Sequence, residues 1–431
     1  MLRPGRNIYY GWFVLAAVSG IGFANAVTSI GVLTVFVVPL SEELDWTRPQ
    51  VSGATSVGAI LGALTAVFIG RLSDRLGARV ILTTGGVLIV LATLYLALIQ
   101  SLLGFYLGFG LARLSDQGLV QSVAPPTVAK WFLRYRGRAL GILFFATSVG
   151  GVVMPLLTQF VIEQWSWRVA WVVLSGAMLL VGAIPCALLV RRQPEDLGLL
   201  PDGRRAVQAE AIGSSAAPDA ASPSAAEGQP TWRLGEAIRS STLWLLLFAA
   251  FMGGVGSTGI GLHLVPYLTQ QGLGAIQAVG AVSVGFLAGA VGNMGWGFLT
   301  ERLSARYLLA VIYLARAGSV ALLLAVSSPI EAYAFAVLRG VAEGGAAAVT
   351  VVLLAQYYGS RHLGAIYGVN RAVQVLGFAL GPIVAGLAYD VNGSYRGAFA
   401  SFLFITAASA LLVAVAKRPH RWPMSSDAGR E

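Results

Sequence analysis

Four sets of ionisable or strongly polar side chains stand inside long apolar stretches of this 431-residue chain. Arg113 and Asp116 lie in the stretch 103–129, Arg339 and Glu343 in 330–356, Arg371 in 364–388 between Asn370 and Gln374, and His263 in 242–268. A charge in the middle of hydrocarbon costs at least ~2.5–3.5 kcal/mol, so such residues face a cavity or a partner and mark function. Spacings of three and four residues put each arginine beside its acid on one helical face. A buried carboxylate next to a guanidinium can exchange that partner for a proton, because burial favours its neutral form and the guanidinium its charged form. The alternative is a permanent ion pair between helices. Arg371 has no acid within four residues, and an unpaired guanidinium invites an anion, gripping a carboxylate in a two-toothed fork; pairing with another helix or a lipid phosphate competes. Histidine is the side chain suited to carrying a proton at physiological pH, so His263 can do so or serve as a hydrogen-bonding core residue. Asn25, Thr28 and Tyr267 are further candidates to line a pocket, and Arg316, in the stretch 307–326, is a weaker one.

The elements that position these groups follow from composition. The chain is 56% hydrophobic and 11% charged, with a mean hydropathy of +0.75, too apolar for a water-soluble fold. About twelve stretches have the length of a membrane-crossing helix, near 9–38, 51–70, 80–99, 103–129, 138–162, 168–190, 242–268, 275–298, 307–326, 330–356, 364–388 and 396–416. The net charge of +10 does not form a nucleic-acid patch. Arg3, Arg6, Arg71, Arg75, Arg79, Lys130, Arg134, Arg136, Arg138, Arg191, Arg192, Arg302, Arg306, Lys417 and Arg418 all fall in alternate connections, against Arg48, Arg168 and Arg396 in the others. Basic residues stay cytoplasmic, so both termini and the middle loop are expected on the inner side of a plasma membrane. The apolar run after Arg6 continues past Ala24-Asn25-Ala26 to about Leu40, too far for a cleaved signal peptide. Cys186 is the only cysteine, which rules out an internal disulfide and a thiolate metal cluster.

Residues 70–79 return as 297–306, and the same offset pairs Pro39 with Pro266, Gly58 with Gly285, Gly62 with Gly289, Asp116 with Glu343 and Pro155 with Pro382. A parallel repeat of this size in an apolar chain points to two similar bundles around a central pathway. The expected organisation is an N-terminal six-helix bundle (1–192), an Ala/Ser/Pro/Gly-rich linker (193–240), a C-terminal six-helix bundle (241–418) and a short tail (419–431). Pairs such as Gly58/Gly62, Gly285/Gly289 and Gly377/Gly381 permit close helix approach in lipid. Gly254-Val-Gly-Ser-Thr-Gly matches a dinucleotide fingerprint but lies within an apolar helix and follows no strand, so nucleotide binding is not expected.

Gly70-Arg-Leu-Ser-Asp-Arg-Leu-Gly-Ala-Arg79, between the second and third spans, resembles the signature loop of the major facilitator superfamily, and its second copy lies between spans eight and nine. That resemblance implies an all-α membrane protein of twelve transmembrane helices in two six-helix bundles. It also implies a cytoplasmic gate built from Gly70, Asp74, Arg75, Gly77 and Arg79, with Gly297, Glu301, Arg302 and Arg306 as its second copy. There Glu301 replaces Asp and Ser304 replaces Gly. It further implies that spans four and ten line the central cavity. Tyr10-Gly-Trp, the run Trp131-Phe-Leu-Arg-Tyr-Arg-Gly-Arg-Ala-Leu-Gly and Gln193-Pro-Glu-Asp-Leu-Gly narrow the likeness to bacterial monocarboxylate and oxalate/formate-type porters. Relatives of that kind often rely on a basic residue in span eleven, which would be Arg371.

ATP hydrolysis by a P-loop is not expected, since Lys130 and Lys417 are the only lysines and neither follows a glycine. A membrane enzyme would need a catalytic cluster, yet the histidines are scattered at 263, 362 and 420. We therefore expect a proton-coupled secondary transporter of a small monocarboxylate or related organic anion, working by alternating access. It would be monomeric and would need no metal or cofactor. Drug efflux by a proton antiporter, and a transporter-like sensor that binds without flux, are the competing functions.

Overall fold

Long runs of apolar residues leave the backbone only one economical way to satisfy its polar groups in lipid, which is the helix. The computed structural model describes residues 9–203 and 231–419; Arg3, Arg6, His420, most of the expected linker (204–230) and most of the tail (420–431) lie outside the described residues. Among the described residues twelve long helices follow one another: α1 Gly11–Leu44, α2 Arg48–Leu76, α3 Ala78–Leu96, α4 102–131, α5 Arg136–Gln164 and α6 Trp167–Leu189. The second set comprises α7 Ser241–Gln270, α8 Ala275–Leu299, α9 Ala305–Leu324, α10 Pro329–Tyr358, α11 Leu363–Asn392 and α12 Arg396–Val415. Ten of these are long and apolar enough to cross a membrane; α2 and α4 are the two outside that set.

Local signals set the ends. Ser101, Ser240 and Ser328 accept from the third helical amide of α4, α7 and α10 at 3.1, 3.3 and 3.4 Å, the usual N-cap arrangement. Gly77 and Gly359 close α2 and α10 at φ 89° and 84°, which lets the chain reverse sharply into α3 and α11.

The repeat is visible in the packing. α1 pairs with α5, α2 with α4 and α3 with α6, and the second half repeats this as α7 with α11, α8 with α10 and α9 with α12. The two halves meet along two seams, α2 against α11 and α5 against α8. A Cβ placed on Gly70 would lie 2.3 Å from the Gly364 carbonyl oxygen, and one on Gly297 would lie 2.4 Å from that of Gly137. Only glycine allows backbones to approach so closely. Both contacts sit at the end of the molecule that carries the signature loops.

The described margins of the linker are held to the bundles. Asp202 Oδ2 accepts from the amides of Leu133 and Arg134 at 3.2 and 2.7 Å, and the Trp232 amide donates to the Tyr358 carbonyl at 3.1 Å.

Candidate functional site between the two halves

Two helix irregularities face each other in the first half. α1 is interrupted by a 3₁₀ turn at Asn25–Thr28, and α4 widens into a π turn at Ser115–Val120. Such bulges redirect side chains and recur at functional sites. Here they aim Asn25 and Thr28 at Asp116, which is 2% exposed. Asp116 Oδ1 accepts from Asn25 Nδ2 at 2.5 Å and Gln121 Nε2 at 2.7 Å. Its Oδ2 accepts from Thr28 Oγ1 at 3.0 Å and from Arg113 Nη1 and Gln117 Nε2, each at 3.1 Å. The expected Arg113–Asp116 pair is therefore formed within one helix, and Arg113 Nη1 also reaches the Thr28 carbonyl at 3.3 Å.

The same two glutamines extend to the other half. Arg371 Nη2 donates to Gln117 Oε1 at 2.9 Å and to Gln121 Oε1 at 2.5 Å, and its Nη1 donates to Gln374 Oε1 at 2.8 Å. The Phe378 ring lies 5.6 Å from the guanidinium. Among the described residues no acidic side chain pairs with Arg371, and its Nε is buried without a partner. Asp116, Gln117, Gln121 and Arg371 thus form one continuous polar path across the interface.

The second half is arranged differently, and one expectation is corrected. Arg339 does not pair with Glu343: its Nη2 donates to the Ser257 carbonyl at 2.6 Å, while Glu343 is bound by Arg316 Nη2 of α9 at 2.5 Å. Arg316, the weaker candidate, is 7% exposed. Helical spacing alone put Arg339 beside Glu343, but α9 offers a guanidinium from the side and α7 a carbonyl to the displaced one.

The remaining expected pocket residues do not converge on Arg371. His263 Nε2 lies 3.1 Å from the Pro382 carbonyl and Nδ1 3.3 Å from the Tyr395 hydroxyl. A carbonyl only accepts, so in the neutral ring Nε2 donates and Nδ1 accepts from Tyr395. Tyr267 is 1% exposed, packs on Phe399 and donates to the Leu323 carbonyl at 3.4 Å. Asn370 lines a small cavity together with Tyr313 and Thr350, and its Nδ2 is buried without a hydrogen-bond partner.

At the signature end, Asp74 ties both halves together. Its Oδ1 accepts from Lys130 Nζ at 2.7 Å and its Oδ2 from the Ala365 amide at 3.0 Å, so a carboxylate of α2 caps the first turn of α11. Arg192 Nη2 holds the Asp74 carbonyl at 3.0 Å, and Arg79 Nε holds that of Ala187 at 2.7 Å. In the second copy Glu301 pairs with Arg138 of α5 at 2.7 Å, beside a cavity of about 420 Å³. Arg306 lies over the Tyr307 ring, whereas Arg75 and Arg302 are exposed. His362, just before α11, has its pKa pushed below the ordinary 6.5 by burial and by Arg361, Lys130 and Arg233, against the opposing pull of Asp74.

Reasoning from charge alone missed Gln117 and Gln121. The available signal was their spacing of four on an otherwise apolar helix beside Asp116.

A family model describing the Major Facilitator Superfamily matches residues 13–329 and 281–430. Monocarboxylate transporter 12 of Rattus norvegicus is 25% identical over 424 residues, covering 95% of this chain and 85% of the relative. Among solved structures, the Major Facilitator Superfamily transporter FucP in the outward conformation superposes with a TM-score of 0.72 at 16% identity, covering 95% of this chain and all of that one. The human organic anion transporter MFSD10 gives 0.69 at 15% identity, covering 94% and 99%.

Proposed function

The chain belongs to the Major Facilitator Superfamily, and from that premise we propose that it carries a small monocarboxylate or related organic anion together with a proton. Residues 1–192 and 241–418 act as the two rocking bundles, and 193–240 joins them. The observation that carries the reading is Arg371: a guanidinium between the halves whose hydrogen-bond partners among the described residues are the amide oxygens of Gln117, Gln121 and Gln374, with Nε left over. Neutral acceptors do not neutralise a cation, so an entering carboxylate gains both charge compensation and a forked pair of hydrogen bonds. The similarity to monocarboxylate transporters and to a human organic anion transporter supports the same substrate class.

Asp116 supplies the proton site. It holds a full set of donors as a carboxylate, yet its burial penalises that charge whenever a donor leaves. The glycine seams and the Asp74 cap on α11 act as the cytoplasmic gate, shut in this arrangement, so the site is reached from the opposite side. His263, held by Pro382 and Tyr395, serves the packing of α7 against α11 and α12. Drug efflux fits less well, because it leaves Arg371 without a counter-charge.

The direct test is uptake of labelled short-chain carboxylates into proteoliposomes, with an inward proton gradient and with that gradient collapsed by a protonophore. Gradient-dependent uptake is expected. Uptake that ignores the gradient removes proton coupling, and uptake of no acid turns the assignment toward efflux, another solute or a sensor without flux.

A further inference from the structure

While Asp116 is ionised, the two glutamines between it and Arg371 can point their amides in only one way. A carboxylate only accepts hydrogen bonds and a guanidinium only donates them, so an amide bridging the two must give its NH₂ to the acid and its oxygen to the arginine. Gln117 and Gln121 both do so: Nε2 lies 3.1 and 2.7 Å from Asp116, and Oε1 lies 2.9 and 2.5 Å from Arg371 Nη2. The orientation that suits an ionised Asp116 is the one that occupies Arg371.

We propose that Gln117 and Gln121 form an amide relay by which the protonation state of Asp116 decides whether Arg371 is free to bind an anion. The proposal rests on the reading of Arg371 and Asp116 as anion and proton sites. Protonated Asp116 carries a hydrogen on one oxygen and becomes a donor there. Five donors then compete for the remaining lone pairs, so at least one of them must turn or withdraw, and in the relay it is a glutamine amide. A turned amide presents NH₂ to the guanidinium, which loses an acceptor on Nη2 and can take an external carboxylate instead. The reverse also holds: an anion on Arg371 displaces the glutamine oxygens and releases their hold on Asp116. Proton and anion therefore promote each other's binding by the same factor.

The other groups around Asp116 leave this route open. The charged ones are Arg113 on its own helix and Arg371 across the interface. α1 contributes Asn25 and Thr28, α2 contributes Gly62 and Thr65 against Gln117 and Gly118, and α3 contributes Gly85 against Leu119 and Val120. Among the described residues, none of those named here from α1, α2 and α3 is ionisable. The two glutamines are positioning residues: each acts through the arginine and the acid rather than by charge of its own.

A ligand-free measurement tests the relay. In the full chain in lipid nanodiscs, the carboxyl band of Asp116 is titrated by infrared difference spectroscopy, assigned by its loss in Asp116→Asn. Arg371→Gln is expected to shift the midpoint in the parent chain. In Gln117→Leu/Gln121→Leu the same substitution is expected to shift it by less than half as much. An equal shift in both backgrounds overturns the relay, because the two charges then act through space alone. A second arm follows the affinity for pyruvate, as a monocarboxylate probe, against pH. It should fall by about tenfold per unit above the Asp116 midpoint in the parent chain and flatten in Gln121→Leu; an unchanged slope counts against the relay. If no carboxylate binds but the infrared coupling passes through the glutamines, the relay stands and the substrate reading fails.

Discussion

Asp116 and Glu343 occupy the same place in the two repeats, one on α4 and one on α10, and their surroundings have diverged. Around Asp116, Gly58 and Gly62 of α2 face the Cβ atoms of Arg113 and Gln117, at 2.3 and 2.5 Å from a Cβ built on each glycine. The glycines make room for polar side chains. In the second repeat, Arg113, Gln117 and Gln121 become Gly340, Gly344 and Ala348, and the corresponding Gly285 and Gly289 lie against backbone. A Cβ on Gly340 would sit 2.1 Å from the Gly285 carbonyl oxygen, and one on Gly344 2.2 Å from that of Gly289. The same small-residue stripe therefore builds a polar chamber in one half and a close helix–helix contact in the other. Glu343, with Gly344 and Ala348 where the first repeat has its two glutamines, takes Arg316 from α9 within its own half. The two environments differ through three residues on one helix face.

The contrast can be broken most severely at Arg371. Arg371→Ala should abolish carboxylate uptake while leaving a folded, well-expressed protein; normal uptake would remove it from the site. Asp116→Asn should come next, ending proton-driven accumulation but leaving exchange of substrate across the membrane. If accumulation persists, the two acids are equivalent after all. Glu343→Gln should instead spare the pH dependence and lower stability by roughly 1–3 kcal/mol, because it weakens a charged hydrogen bond to a buried arginine, as read by thermal unfolding in detergent. Gly344→Ala should cost about 1–3 kcal/mol through overpacking against backbone, whereas Gly110→Ala, with open space around its Cβ position, should be silent. Equal melting temperatures would mean that this contact is soft.

The smallest effect concerns the seam. His362 has a lowered pKa in the folded chain, so its neutral form is the one the fold favours. Its contribution is present above the unfolded value of about 6.5 and is lost as pH falls through the lower folded value. His362→Gln should flatten the acid side of the stability profile by a small amount, and an unaltered profile would remove His362 from the pH dependence.

Much of this was legible in the chain. The offset between residues 70 and 297 announced a duplicated membrane architecture, and the observed pairing of helices repeats accordingly. Arg113 beside Asp116 followed from a spacing of three, since helix geometry alone places such neighbours. The solitary position of Arg371 in span eleven also followed, because no acid stood close to it in sequence. The partner of Glu343 did not follow: Arg339 had the right spacing, but Arg316 approaches from another helix and wins by position. Nor did the role of Gln117 and Gln121, since an amide carries no charge to attract notice until its two neighbours are known.

The sequence by itself determined the helices, the repeat and the glycine stripe, because helix formation in lipid and contacts within one helix depend on residues a few positions apart. Tertiary structure alone decided which charges meet. Asp74 on the Ala365 amide, Arg316 on Glu343 and Arg371 on the two glutamines join residues on different helices. Such choices are made by the registers in which whole helices pack, and no local spacing encodes them.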